Sequence, residues 1–144
     1  MSEKSYPTIR QTVLDTTDPR ALAEFYRQLF GLVYRPGDEP PADGQPDERG
    51  QDWLVLRSSD AGTPLLAFQK VDHLAPTTWP EAGVPQQMHL DTTVPDVEEL
   101  TRQHERALAL GASVLADRSE DEEEPLRVYA DLDGHPFCIF VSTS

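Results

Sequence analysis

Basic residues, cysteine and long apolar runs are scarce in this sequence, and each scarcity excludes a class of protein. Twelve Lys and Arg stand against 26 Asp and Glu, so the net charge is −14 and the basic patch that nucleic-acid phosphates require is missing. The single cysteine, Cys138, excludes an internal disulfide framework and is typical of a reducing compartment. No apolar run approaches the length of a membrane span. We therefore expect a cytoplasmic protein with neither nucleic acid nor membrane as a partner.

The acidic excess gathers in two stretches of a chain whose 144 residues predict one domain, residues 1–144. One stretch lies in a loop at 38–48, and the other is the run DRSEDEEE at 117–124. A charge run of this kind is typical of a solvated loop that aids solubility. The alternative for 117–124 is a patch for a metal or a basic partner, and the run alone does not decide its role.

One pattern occurs twice along the chain. Residues 11–18 (QTVLDTTD) and 89–96 (HLDTTVPD) are β-prone runs that end at an Asp, as a strand does before the N-terminus of a helix. Asp18 suits the N-cap because Pro19 then falls at the first helical position, where its missing N–H costs nothing. An apolar helical stripe follows each run, and Gly31 and Gly111 end the two stripes. The second helix is expected to be about two residues longer.

Each copy closes on similar strands. Residues 62–69 (GTPLLAFQ) match residues 134–141 (GHPFCIFV), and shorter strands are predicted at 32–34, 53–57, 113–116 and 127–130. The string βαβββ therefore occurs twice, as module one at about 7–70 and module two at about 88–142, joined by a linker at 71–87. An α+β fold follows, with curved mixed sheets around a cleft and a helix on the convex side of each sheet.

The order of these motifs resembles the vicinal-oxygen-chelate superfamily of glyoxalases, bleomycin resistance proteins and extradiol dioxygenases. The resemblance covers nearly the whole chain and is carried by five short segments. The linker Trp79-Pro80 before Gln86-Gln-Met-His89 is further similar to a bacterial glyoxalase-like subgroup. The segments are Val13-Leu14-Asp15 with Asp18, Ala23-Glu-Phe-Tyr26, Gln87-Met-His-Leu-Asp91 with Asp96-Val97, Ala109-Leu-Gly-Ala112 and Asp131-Leu-Asp-Gly-His-Pro-Phe137.

The resemblance implies a divalent metal held by the first and last strands of each module, and these positions are Gln11, Leu66, His89 and Cys138. Leu66 cannot bind a metal, and Cys138 is either a zinc-binding thiolate or a small buried apolar residue. A register slip in module one would bring up Ala67, Phe68 or Gln69, and none of these supplies a carboxylate. We expect no metal; a zinc ion on Gln11, His89 and Cys138 is the alternative.

Alternation along the strands predicts which side chains face the cavity. The resulting pocket is apolar with a few polar groups, as expected of a small-molecule site, and the alternative is a closed core. The predicted ligand-binding residues are Gln11, Val13, Leu66, Phe68, His89, Asp91, Cys138 and Phe140.

His89 is the candidate catalytic residue. It would act as a general base oriented by Asp91 or Gln11, and the alternative is a histidine that only makes structural hydrogen bonds. His104 is interpreted as half-buried packing on the second helix, while His73 and His135 are interpreted as surface residues. Cys138 has no cationic neighbour in sequence that would activate it as a nucleophile.

Three hypotheses for function follow, and they leave open whether the protein is an enzyme. The leading one is a metal-free protein that binds a small and preferably cationic organic molecule in the cavity between the sheets. The resemblance to resistance proteins implies that it is a homodimer. The second is a lyase or isomerase that depends on His89 or on a degenerate metal site. The third is an interaction module whose linker, with Trp79, lines a dimer or contacts a partner.

Overall fold

The computed structural model describes residues 5–142, and the elements in that range form two similar modules. Each module consists of one strand, one helix and three further strands, so the predicted α+β fold with two βαβββ units is confirmed. In chain order the elements are β1 (Thr12–Thr16), α1 (Pro19–Phe30), β2 (Val33–Tyr34), a 3₁₀ turn (Arg49–Gln51), β3 (Trp53–Arg57), β4 (Pro64–Lys70), β5 (Leu90–Val94), α2 (Val97–Leu110), β6 (Ser113–Arg118), β7 (Leu126–Ala130) and β8 (Pro136–Val141).

The two sheets have the same strand order. The first is β1-β4-β3-β2 and the second is β5-β8-β7-β6, and in each the first and last strands of the module run parallel side by side. The remaining neighbours are antiparallel. In each module, the strand that ends the sequence repeat therefore lies next to the strand that begins it.

Capping residues lie at the ends of both helices, at the positions predicted from the sequence. The Asp18 carboxylate accepts a hydrogen bond of 3.1 Å from the Ala21 amide, and Asp96 does the same for Glu99 at 2.8 Å. Gly31 ends α1 with φ of 65°, in the left-handed region that glycine tolerates best. With 12 residues in α1 and 14 in α2, the expected difference in length is confirmed.

Both helices and one face of each sheet share a single core. The ring of Tyr26 in α1 stacks on the ring of Phe68 in the first sheet, with 6.0 Å between ring centroids. It also meets the ring of Phe137 in the second sheet edge-on, with 6.1 Å between centroids. Each fully buried aromatic or aliphatic side chain of this kind contributes roughly 1.5–3 kcal/mol to folding. Each sheet therefore has one face packed on the core and one face turned away from it, which we call the open face.

The linker between the modules has no helix or strand; the Val71 amide donates to the Thr16 carbonyl at 2.9 Å, and Thr78 holds a local turn farther along. Thr78 accepts a hydrogen bond of 2.8 Å from the Val84 amide through Oγ1, and the Thr78 amide donates to the Val84 carbonyl at 2.8 Å. The linker thus forms a compact loop beside the two modules. Neither of the helices between residues 5 and 142 is long and apolar enough to cross a membrane.

Candidate functional site

A cavity of about 270 Å³ lies on the open face of the second sheet, and we call it the open-face cavity. Strand register explains its floor, because Asp91 lies beside Cys138 and Cys138 lies beside Val128 on neighbouring strands. The side chains of one such row point to the same face of a sheet. The linker supplies Trp79 and Gln86 to the rim.

Four predicted site residues meet in the open-face cavity: His89, Asp91, Cys138 and Phe140. The Nε2 atom of His89 lies 3.7 Å from Oδ1 of Asp91, with both side chains about half exposed. An exposed pair at that separation is strongly screened by water. Asp91 is therefore near enough to orient the imidazole after a small movement, but it does not lock the ring in place.

Cys138 is a protonated thiol at neutral pH. Burial, followed by the negative charges of Asp91 and Glu124, raises its pKa to about 11. A thiol becomes a nucleophile or a metal ligand only as the thiolate, and neighbouring carboxylates disfavour that form. Cys138 consequently serves as a small, weakly polar part of the cavity floor.

Leu66 and Phe68 do not face a cavity, and the prediction that they do is wrong. Both side chains belong to the core under α1, where Leu66 is 6% exposed and Phe68 is fully buried. The cause is a bulge between β3 and β4. Arg57 pairs with Pro64 and Leu56 pairs with Leu66, so Leu65 is an extra residue that reverses the faces of the side chains after it.

The bulge also changes which residues of the two modules are equivalent. Val13, the second residue of β1, pairs with Ala67, whereas Asp91, the second residue of β5, pairs with Cys138. Ala67 rather than Leu66 thus occupies the position of Cys138 in module one. Neither alanine nor leucine can bind a metal, so the module still lacks a ligand on its last strand.

Gln11 and Val13 lie away from the open-face cavity. Gln11 precedes β1 and lines neither of the two cavities described, and its Oε1 atom is buried without a hydrogen-bond partner. Val13 is 42% exposed and lines a different cavity between the modules. The eight predicted residues therefore separate into the four in the open-face cavity, two in the core and these two.

The side chains present do not fit a metal ion. Gln11 does not line the cavity that holds His89 and Cys138, and a metal ion would have to displace the proton of a thiol whose pKa is raised to about 11. Between residues 5 and 142 no three His, Cys, Asp or Glu side chains are grouped as a metal site. Zinc prefers thiolate, imidazole and carboxylate ligands at short range, so the Gln11, His89 and Cys138 set is a poor match.

Sequence reasoning missed part of the rim of the open-face cavity. Trp79 was interpreted only as an interface aromatic of the linker, and Glu124 only as one charge of the acidic run, yet both line this cavity with Arg118. The signal for Trp79 was an aromatic residue in a loop that directly precedes His89. Glu124 gave no local signal, because only the β6–β7 connection brings it to the open face.

A second cavity, of about 410 Å³, lies between β1, the linker and the β7–β8 turn, and we call it the seam cavity. His135 is part of its wall. His135 was predicted to be a surface residue, but its side chain is only 21% exposed, and Nδ1 lies 2.9 Å from the buried Asp131 carboxylate. His73 is exposed, as predicted, and His104 is half-buried, with Nδ1 2.9 Å from the Tyr129 hydroxyl.

Asp131 fixes the structure of the β7–β8 turn beside the seam cavity. Its carboxylate accepts hydrogen bonds from the Tyr26 hydroxyl at 2.6 Å and from the Asp133 and His135 amides at 2.9 and 3.0 Å. Burial lowers the pKa of His135, but the hydrogen bond and charge of Asp131 outweigh burial and leave that pKa raised. One buried carboxylate thereby positions a turn, a helix and an imidazole.

Comparison with known proteins gives the family and supports the fold. The model of a family described as glyoxalase-like domain matches residues 11–140. No curated protein matches the chain.

Solved structures resemble the whole chain at low sequence identity. A glyoxalase/dioxygenase from Nostoc punctiforme is 19% identical with a TM-score of 0.66, covering 100% of this chain and 99% of that chain. The fosfomycin resistance protein FosX from Listeria monocytogenes is 17% identical with a TM-score of 0.66, covering 96% of both chains. A glyoxalase/bleomycin resistance protein/dioxygenase family enzyme from Burkholderia phytofirmans PsJN is 16% identical with a TM-score of 0.64, covering 92% of this chain and 96% of that chain.

Proposed function

Because the chain belongs to the family of glyoxalase-like domains, we propose that it binds a small organic cation in the open-face cavity without a metal ion. The observation that carries the proposal is the meeting of aromatic and acidic side chains there: Trp79 and Phe140 with Asp91 and Glu124. Aromatic faces and carboxylates attract organic cations together, most strongly where water is partly excluded.

The charges around the cavity support a cationic ligand. Asp91 and Glu124 act on the same atom, the Cys138 sulfur, since both raise the pKa of that thiol. Arg118 is the one Lys or Arg among the residues that line the described cavity. The net charge of −14 adds a long-range attraction that speeds the encounter with cations more than it strengthens binding.

The open face of the first sheet supports a homodimer as the working form. Val13 is 42% exposed and Leu65 is 44% exposed on this face, so apolar surface faces solvent in a single chain. We propose that a second copy covers it. Sedimentation equilibrium checks this: the chain should sediment as a dimer, and Leu65→Asp should shift it towards a monomer. A monomeric parent protein would contradict the homodimer without affecting the ligand proposal.

A matched pair of probes tests the cation site. 1-Naphthylmethylammonium should bind and quench Trp79 fluorescence, whereas naphthalene-1-sulfonate, with the same ring and the opposite charge, should not. Trp53→Phe leaves Trp79 as the fluorescent reporter. Trp79→Ala should weaken calorimetric binding about tenfold, as expected for an aromatic anchor, and Asp91→Asn should weaken it by a few fold.

Two results would reject the proposal. One is equal binding of the ammonium and the sulfonate, since the carboxylates would then have no role. The other is stoichiometric metal in protein purified without chelator, together with loss of probe binding when EDTA is added. Binding that EDTA leaves unchanged supports the metal-free site.

A lyase or isomerase reaction is the second candidate function. The supporting observation is that His89 lines both cavities and has Asp91 at 3.7 Å as a group that can orient it. If a turnover is found, His89→Ala should abolish it and His73→Ala should not. Turnover that survives His89→Ala would remove His89 as the base.

A further inference from the structure

The seam cavity has the features of a second binding site, which borders the open-face cavity at Gln86 and His89. It is the larger of the two, at about 410 Å³, and the linker covers one side of it. Polar residues of module one and module two converge on its other side. Large cavities with an apolar wall and a few converging polar groups are where small molecules bind.

His135 lines this cavity, and one of its two ring nitrogens is engaged by another residue. Its Nδ1 atom is engaged by Asp131 at 2.9 Å, and Nε2 has no hydrogen-bond partner among residues 5–142. A carboxylate on Nδ1 holds that nitrogen as the proton donor and fixes the plane of the ring. When the ring is protonated, Nε2–H is the ring donor that Asp131 does not engage, and His135 is one of the residues that line the seam cavity.

Two carboxylates line the same cavity. Asp133 is held by the Thr16 hydroxyl at 2.7 Å and the Thr17 hydroxyl at 3.3 Å, and Asp15 accepts from the Gln69 amide at 3.3 Å. Neither carboxylate forms an ion pair with Lys or Arg in the described part of the chain. Because the carboxylate of Asp131 neutralises the positive charge of protonated His135, the charge that remains at the cavity wall is the negative charge of Asp15 and Asp133.

The linker supplies the apolar wall. Leu74, Val84 and Met88 line the cavity, and Met88 is 73% exposed in the free protein. An exposed, flexible methionine beside a cavity adapts well to the body of an apolar ligand. A ligand that matches all three features carries a positive charge, a neutral hydrogen-bond acceptor and a small aliphatic body.

We propose that the seam cavity binds small aliphatic amino amides, with the ammonium on Asp15 and Asp133. The ligand carbonyl accepts the Nε2–H of protonated His135, and the aliphatic body packs on Leu74, Val84 and Met88. L-Leucinamide has this chemistry, as does the amino-terminal residue of a peptide with a leucine side chain. The site uses none of the four side chains that carry the proposed function (Trp79, Asp91, Glu124 and Phe140) and does not depend on that function.

Calorimetric titration with three related molecules tests the proposal. L-Leucinamide should bind the full-length protein, and isopentylamine, which lacks the carbonyl, should bind about tenfold more weakly, as for a lost hydrogen bond to a charged group. L-Leucine should also bind more weakly, because its carboxylate faces two like charges. Equal affinity for all three would overturn the proposal, as would no heat from L-leucinamide at millimolar concentration.

Variants place the binding in the seam cavity. His135→Asn and Asp133→Asn should each weaken L-leucinamide binding by about tenfold, while His73→Asn, a change at an exposed linker histidine, should leave it unchanged. If His135→Asn fails to fold, Asp133→Asn decides the question. Full binding by a folded Asp133→Asn variant would overturn the proposal.

A cross-test separates this site from the open-face cavity. Trp79→Ala should leave L-leucinamide binding unchanged, and Asp133→Asn should leave 1-naphthylmethylammonium binding unchanged. Loss of L-leucinamide binding in Trp79→Ala alone would assign that ligand to the open-face cavity and reject the seam site. Failure of the naphthyl probe has no bearing on the seam cavity.

Discussion

The hydroxyl of Tyr26 donates a hydrogen bond of 2.6 Å to the carboxylate of Asp131, and this bond joins the first helix to the second module. Both groups are buried, and 105 positions separate them in the chain. Burial, followed by the charge of Asp131, raises the pKa of Tyr26 well above its ordinary value. The tyrosine therefore remains a hydrogen-bond donor throughout the physiological range.

Tyr26→Phe should lower the free energy of unfolding by about 1.5–3 kcal/mol, because it removes a hydrogen bond to a buried charge. Urea denaturation followed by circular dichroism measures the change. Tyr6→Phe is the matched control, since Tyr6 is exposed and should alter stability by less than about 0.5 kcal/mol. An effect of the same small size for Tyr26→Phe would show that the Tyr26–Asp131 hydrogen bond does not stabilise the contact between α1 and the second module.

The protonation of His135 should make stability depend on pH. The pKa of His135 is raised in the folded state, so its contribution is complete below the unfolded value near 6.5 and is lost as pH rises through the folded value. Urea denaturation from pH 5.5 to 9 measures this loss.

His135→Asn should flatten that profile relative to the parent protein. The comparison is needed because His104, whose pKa burial and Arg127 lower, acts in the opposite direction at acidic pH. Identical profiles for parent and variant would mean that His135 does not change its charge on unfolding in this range.

The bulge at Leu65 predicts losses of stability of very different size for alanine substitutions at two adjacent leucines. Leu66→Ala should destabilise the protein by about 2–5 kcal/mol, because it leaves a cavity in the core. Leu65→Ala should cost far less, because Leu65 is 44% exposed on the open face. Urea denaturation of the two variants in parallel measures the difference. A larger loss for Leu65→Ala would mean that the register of β4 is shifted by one residue.

The protonated state of Cys138 should make the thiol slow to alkylate. With its pKa raised to about 11, iodoacetamide at pH 8 should modify the folded protein at least about tenfold more slowly than the protein in urea. Mass spectrometry over time gives both rates. Asp91→Asn removes one of the charges that raise the pKa and should speed the reaction in the folded state only.

The sequence by itself determined the modular architecture and both helices. The repeat of strand, acidic cap and apolar stripe ending at a glycine predicted α1 and α2 and the two βαβββ units, because these signals act between residues close in the chain. In module two, alternation from His89 also placed Asp91, Cys138 and Phe140 together, since β7 and β8 pair without a bulge.

Only the tertiary structure decided where the side chains of module one point and where the cavities lie. One extra residue in β4, Leu65, reverses the faces to which the side chains after it point. The sequence contains no sign of this bulge, because a bulge depends on the partner strand. Likewise, Trp79, Glu124 and the Tyr26–Asp131–His135 cluster come together through contacts between distant segments. Local pattern determines elements, but the closure of long loops determines sites.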